Sequence, residues 1–198
     1  MPRILLTAFE PYADWTENSS WLTVIELTRW FDSRGQLVTR RYPVNLSGIS
    51  ERLTEDLSGD FTYAIHLGQA PGATAIKLES TGLNVLDSGQ PILPDGPAAY
   101  RTKLPLDRWA KKLAGEGIPA MVSHHAGTYM CNATMFLSHH LTESQGLPTQ
   151  SCFIHLPLAP QQAAKRIING SPMASMSLPM MAGGLALLIA ELLDLQSA

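Results

Sequence analysis

One cysteine, one histidine and one glutamate carry most of the chemistry this sequence could do. Cys131 lies in Ser123–His140, SHHAGTYMCNATMFLSHH. The apolar run Ile118–Val122 precedes it, then a small-residue turn, Ala126-Gly127-Thr128, and after the cysteine comes a stretch at helical spacing. That order predicts a strand, a tight turn and a helix with the thiol at its start. A thiol there meets unpaired backbone N–H groups and the positive end of the helix dipole, which favour the nucleophilic thiolate. A lone cysteine otherwise reads as a buried structural thiol, so a catalytic reading needs a base and a partner that orients it. His155, near the end of the apolar run Ser151–Leu156, exchanges protons near neutral pH. Glu79, closing the run Thr74–Leu78, can fix its tautomer and stabilise the imidazolium. With the N–H groups around Cys131 holding an oxyanion, the three describe acyl transfer. The plain alternatives are a satisfied core histidine and an exposed strand-end carboxylate.

Other chemistries fare worse. The histidine pairs His124-His125 and His139-His140 diverge on a strand or a helix, and no HExxH or paired CxxC spacing is present, so no metal site is expected. Gly68-Gln-Ala-Pro-Gly72 matches neither GxGxxG nor a P-loop. Lys and Arg number 14 against 17 acidic residues with no basic run, which argues against nucleic acid. Two cysteines form no disulfide framework and fit a reducing cytoplasm. The first apolar run is too short for a signal peptide. Residues 170–190 are uncharged but interrupted by Pro172 and Pro179, so they read as a loop and a buried helix and no membrane span is expected.

These residues need a frame to hold them. The 198 residues suffice for one core, and residues 1–198 read as a single domain. Expected strands are Arg3–Ala8, Gln36–Val44, Tyr63–Leu67, Thr74–Leu78, Ile118–Val122 and Ser151–Leu156. Expected helices are one capped by Ser19 or Ser20 with an apolar face of Trp21, Val24, Ile25, Leu27 and Trp30, then Ser47–Leu57, Leu106–Leu113, the one at Cys131, Gln161–Ile168 and Ser177–Leu195. Gly82–Pro97 reads as loop. Alternating strands and helices predict a three-layer α/β/α sandwich around a mixed, mostly parallel sheet. Ligands of such folds sit beyond the carboxyl ends of strands. Phe9, Gln69, Glu79, Cys131 and His155 all fall at or just past expected strand ends. Phe9 and Tyr12, in the loop after the first strand, read equally as core aromatics or as a ligand wall. A charged fraction of only 16% and exposed-looking apolar segments near Trp109, Met121 and Met173–Met181 suggest a homo-oligomer.

The same residues carry a resemblance that runs almost end to end. The chain resembles the pyroglutamyl peptidase I (pyrrolidone carboxyl peptidase) family of cysteine peptidases. The matching segments are Leu-Leu-Thr-Ala-Phe-Glu-Pro-Tyr12 with Asn18-Ser-Ser-Trp21, His66-Leu-Gly-Gln-Ala70, Leu78-Glu-Ser-Thr-Gly-Leu-Asn84, Asp95-Gly-Pro-Ala-Ala-Tyr100, Ala126-Gly-Thr-Tyr-Met-Cys-Asn132 and Phe153-Ile-His-Leu-Pro157. The resemblance implies an α/β/α peptidase that removes an N-terminal pyroglutamyl residue with no metal or cofactor, cytoplasmic and dimeric or tetrameric. It implies Cys131 as nucleophile, His155 as base then acid, and Glu79 as the orienting group. Phe9 and Tyr12 would flank the lactam ring, Tyr129 and Met130 would complete the pocket, and Gln69 and Asn18 would shape it and make its polar contacts. Three departures stand out. Ala8 replaces a usual Gly, Tyr12 a usual Phe, and the segment between Asn84 and Asp95 is shorter, without an arginine that typical members carry. The departures leave open a related amidase of altered specificity, or a homologue that binds without turnover.

Overall fold

Alternation along single strands sorts the core into two halves. The computed structural model, which describes residues 1–168 and 170–193, has a six-stranded sheet: β1 (Ile4–Phe9), β2 (Leu37–Tyr42), β3 (Tyr63–Gln69), β4 (Ile76–Glu79), β7 (Ala120–Ser123) and β8 (Gln150–Leu156). The spatial order is β2-β1-β3-β8-β4-β7. Successive side chains point to opposite faces. Ile4, Leu6 and Ala8, with Ile65, Leu67, Cys152, Ile154, Ile76 and Leu78, therefore face one side. There they meet α1 (Ser19–Thr28), α3 (Leu106–Gly115) and α6 (Leu178–Leu192) through Val24, Trp109 and Leu185. The intervening residues Leu5, Phe9, Ala64 and Phe153 face the other side. They pack under α2 (Leu46–Leu57) and α4 (Met130–Ser144) through Ile49, Leu53 and Phe136. The expected sandwich and mixed, mostly parallel sheet are both observed.

The second face is also where the sheet turns polar. Thr7 Oγ1 and His66 Nδ1 are 2.7 Å apart, His66 Nε2 and Ser138 Oγ 2.9 Å, and the Ser138 and Ser151 hydroxyls 2.8 Å. Each of these residues is buried. The chain of hydrogen bonds answers the polar groups that would otherwise be stranded beneath α4.

β4 pairs antiparallel with β8, and β7 runs with β4, so these two strands point opposite to the other four and make the sheet mixed. Several expectations need correction. Asn18, not Ser19 or Ser20, caps α1: its side chain accepts from the Ser20 N–H. α1 ends at Thr28, leaving Trp30 beyond it and 53% exposed, and Ile25 is also exposed. The segment read as loop, Gly82–Pro97, is flanked by a two-stranded ribbon, β5 (Thr81–Leu83) with β6 (Ala99–Arg101), and its first two residues belong to β5. The helix expected over Gln161–Ile168 is only the single turn α5 (Pro160–Ala163). It is followed by the short pair β9 (Ile167–Ile168) and β10 (Ser171–Pro172). Trp109 and Met181 are fully buried, while Met121 is exposed. The last residues of the helix expected to reach Leu195 lie outside the described residues.

Candidate active site

The register of β8 places His155 and Glu79 near one another. His155 stands opposite Gly68 of β3 and Lys77 of β4, and Phe153 stands opposite His66 and Glu79. Residues 153 and 155 share a face, and directly paired residues share it too. Glu79 therefore approaches His155 diagonally along the sheet, and the imidazole Nδ1–H donates to Glu79 Oε1 at 2.8 Å. Glu79 gets there from the reversed strand, so it does not lie beyond a carboxyl edge shared with Phe9, Gln69 and His155 as the strand-end argument expects. It lies one pair further down, 1% exposed. With Nδ1 committed, Nε2 is the nitrogen left for Cys131.

Cys131 is the second residue of α4. Tyr129 occupies the N-cap position and its side chain makes no capping hydrogen bond, so the first N–H groups of this 15-residue helix have no side-chain acceptor. The sulfur lies over Gly68. A Cβ at residue 68 would come within 2.9 Å of Cys131 Sγ and 2.7 Å of the Phe153 ring. The strand surface must be bare there for the helix start to settle on it. Asn132, fully buried beside the thiol, accepts from the Leu83 N–H at 2.8 Å and donates to the Leu83 and Val85 carbonyls at 2.9 Å each. It thus ties the β5 segment to α4.

Burial and two neighbouring groups set the charge of the His155 imidazole. Burial alone disfavours the imidazolium, but Cys131 beside it and the hydrogen bond and charge of Glu79 outweigh burial and raise its pKa to about 9. The second cysteine behaves oppositely: Cys152 is fully buried among apolar neighbours and burial raises its thiol pKa, which keeps it protonated and inert.

A cavity of about 230 Å³ opens beside the thiol, lined by Phe9, Tyr12, Asn18, Val44, Gln69, residues 126–130, Cys131 and His155. All six residues that the resemblance assigns to substrate line it. Phe9 is buried at the end of β1, Met130 is nearly buried, and Tyr129 is 47% exposed at the rim. Asn18 contributes mainly by shaping. Its Oδ1 accepts from the Ser20 N–H and hydroxyl, and its Nδ2 donates to the Glu10 carbonyl at 3.0 Å, so it fixes the loop that carries Tyr12. Next to Tyr12, Ala13 has φ 47°, a left-handed conformation that costs an alanine. Val44 and the Ala126-Gly127-Thr128 turn were not singled out as site residues from sequence. The turn glycine, at φ 80°, was the available signal; Val44 gave none. No residue of 84–95 lines the cavity. That short segment closes on itself through Asn84, which bonds to Leu93 and Gly96, and packs Ile92 toward α4.

Among the described residues no group of three or more His, Cys, Asp or Glu is placed to hold a metal ion. Nor, among the described residues, is any helix long and apolar enough to cross a membrane.

The chain is similar to known proteins along nearly its whole length. A family model described as pyroglutamyl peptidase matches residues 2–194. A pyrrolidone-carboxylate peptidase of Pyrococcus furiosus is 34% identical over 188 residues, covering 88% of this chain and 89% of the relative. One of Thermococcus kodakarensis is 34% identical over 199 residues, covering 94% of each. Among solved structures, a pyrrolidone carboxyl peptidase of Fervidobacterium islandicum superposes with a TM-score of 0.90 at 32% identity, covering 98% of this chain and 99% of that one.

Proposed function

From the premise that the chain belongs to the pyroglutamyl peptidase family, we propose that it hydrolyses the amide bond after an N-terminal pyroglutamyl residue, with Cys131, His155 and Glu79 as its catalytic triad. The observation that carries the reading is the 2.8 Å His155–Glu79 hydrogen bond beside a helix-start thiol that shares one small cavity with His155. The lactam ring is small, neutral and flat, with one N–H, one C=O and two apolar faces. Phe9 and Tyr12 with Met130 supply walls for such a ring, and no charged clamp is required.

The reaction follows from the positions. Cys131 as thiolate attacks the pyroglutamyl carbonyl carbon, and the negative charge moves to the oxygen. The free N–H groups at the start of α4 stabilise that oxyanion. As the C–N bond breaks, the His155 imidazolium gives its Nε2 proton to the departing amine, leaving a thioester on Cys131. Water then attacks the thioester, His155 takes its proton, and pyroglutamate leaves with the thiolate restored. Glu79 holds the ring in the required tautomer and offsets its charge throughout. We assign the activity to one domain working in the cytoplasm, and to a dimer or tetramer. Exposed Met121 and Trp30 support self-association.

The test is release of fluorophore from a pyroglutamyl amide under reducing conditions. Wild type should turn over, and Cys131→Ser should lose about a thousandfold or more. Equal release from both proteins would contradict the assignment. A second reading, an amidase for a different N-terminal group, is favoured by the absence of residues 84–95 from the cavity wall and by the Tyr12 hydroxyl. Faster turnover of another acyl amide in a substrate panel would establish it.

A further inference from the structure

Gln69 meets the cavity with an amide whose orientation is set from behind. The Ala159 backbone N–H can only donate, and it donates to Gln162 Oε1 at 2.9 Å. The other terminal atom of Gln162 is therefore its NH₂ group. Both of its hydrogens are used, one on the Glu17 carbonyl at 3.0 Å and one on Gln69 Oε1 at 2.8 Å. The Ser19 N–H donates to the same Gln69 oxygen at 2.8 Å. Gln69 Oε1 is thus held by two unambiguous donors, and its NH₂ must face the other way. That nitrogen is buried and has no partner among the described residues. Gln69 and Tyr12 line the same cavity.

We propose that Gln162, which does not itself line the cavity, is a positioning residue for substrate binding: it locks Gln69 so that the site offers an amide N–H, and not a carbonyl, to an acceptor oxygen on the bound ring. The inference rests on the pyroglutamyl reading for the identity of that ring, whose lactam carbonyl is the acceptor. Gln162 is 4% exposed and makes three hydrogen bonds that span α5, the loop before α1 and the end of β3. An unsatisfied buried donor such as Gln69 Nε2 is costly unless something answers it, and a ring carbonyl would.

The test uses the full chain with Gln162→Glu and Gln162→Met, a pyroglutamyl amide as substrate and 2-pyrrolidinone as the isolated ring. In Gln162→Glu one carboxylate oxygen still accepts from Ala159 and the other faces Gln69 Oε1. Gln69 Oε1 then meets a carboxylate on one side and the Ser19 N–H on the other, so the amide is no longer locked with its NH₂ toward the cavity. The expected result is a rise in KM of about a hundredfold with kcat changed several-fold at most, and a matching loss of 2-pyrrolidinone affinity. In Gln162→Met, which leaves Gln69 unguided without setting a carboxylate against its oxygen, the expected rise is about tenfold. Alkylation of Cys131 by iodoacetamide reports the triad and should proceed at the wild-type rate in both. Unchanged KM and lactam affinity in Gln162→Glu would overturn the inference. So would equal losses in both variants that track melting temperature and alkylation rate, the signature of a purely structural role. If wild type binds 2-pyrrolidinone but releases no fluorophore, and Gln162→Glu weakens that binding as described, the peptidase reading fails and the positioning role stands.

Discussion

At the scale of single residues, the account depends on a sulfur held over a bare strand. Gly68→Ala puts a methyl group 2.7–2.9 Å from the Phe153 ring and the Cys131 sulfur, and either α4 or the thiol must move. Overpacking of this kind costs about 1–3 kcal/mol, and a misplaced nucleophile costs about a hundredfold in rate. The expected outcome is a kcat/KM on a pyroglutamyl amide roughly a hundredfold below wild type, with a cooperative melt retained. The charge on His155 gives a second expectation. His155, proposed to protonate the leaving amine, has its pKa raised to about 9 by Cys131 and Glu79 against burial, so activity should fall as pH rises through about 9. Removing its partner with Glu79→Gln should move that limb to lower pH, as a pH–rate profile would show. Iodoacetamide should label Cys131, and Cys152, fully buried with a raised pKa, should stay unlabelled in the folded protein.

At the scale of elements, the site is an agreement between a helix start and three neighbouring strands, and Asn132 is what binds β5 to that helix. Asn132→Ala leaves the Leu83 N–H and the carbonyls of Leu83 and Val85 without their partner. A loss of about 2–3 kcal/mol is expected in chemical denaturation, along with loosened protection of residues 81–85 in hydrogen exchange. The elements also show where the sequence could and could not be read. The apolar runs of β1, β3 and β8 and the helical spacing after Cys131 were legible because each is long enough to show a period. The direction of β4 was not. A four-residue strand carries no mark of orientation, and direction is decided by which neighbour it pairs with. The β5–β6 ribbon was hidden because its short strands lie among Gly, Pro and Asp, and α5 ends early because residues 167–168 pair with β10. Cys131, His155 and Glu79 were legible as chemistry from their types and strand-end positions. Val44 and Gln162 were not: one is an apolar residue past a strand and the other acts through Gln69, so neither advertises itself by type.

At the scale of the whole molecule, two sets of histidines should bound stability from opposite sides. His66 is wholly buried, with burial and then His139 lowering its pKa to about 3. His139 is lowered to about 4 by burial and then by Lys103. An unfolded chain takes up protons at these residues near pH 6.5 while the folded one does not. Their contribution is whole above pH 6.5 and is lost progressively as pH falls toward 3. His155 acts in the other sense. Its folded pKa is raised, so its contribution is whole below about pH 6.5 and disappears as pH rises through about 9. Denaturant midpoints measured from pH 4 to 10 should therefore pass through a maximum near neutrality. His66→Asn should flatten the acid limb while lowering the maximum, since it breaks the Thr7–Ser138 bridge.

The central claim is that Cys131 carries the acyl group, and rapid-quench mass spectrometry of the intact protein during turnover of a pyroglutamyl ester reads it directly. The account predicts a transient increment of one pyroglutamyl group, mapped to the peptide containing Cys131 and absent in Cys131→Ala. Turnover with the group on any other residue, or undiminished in Cys131→Ala, would contradict it.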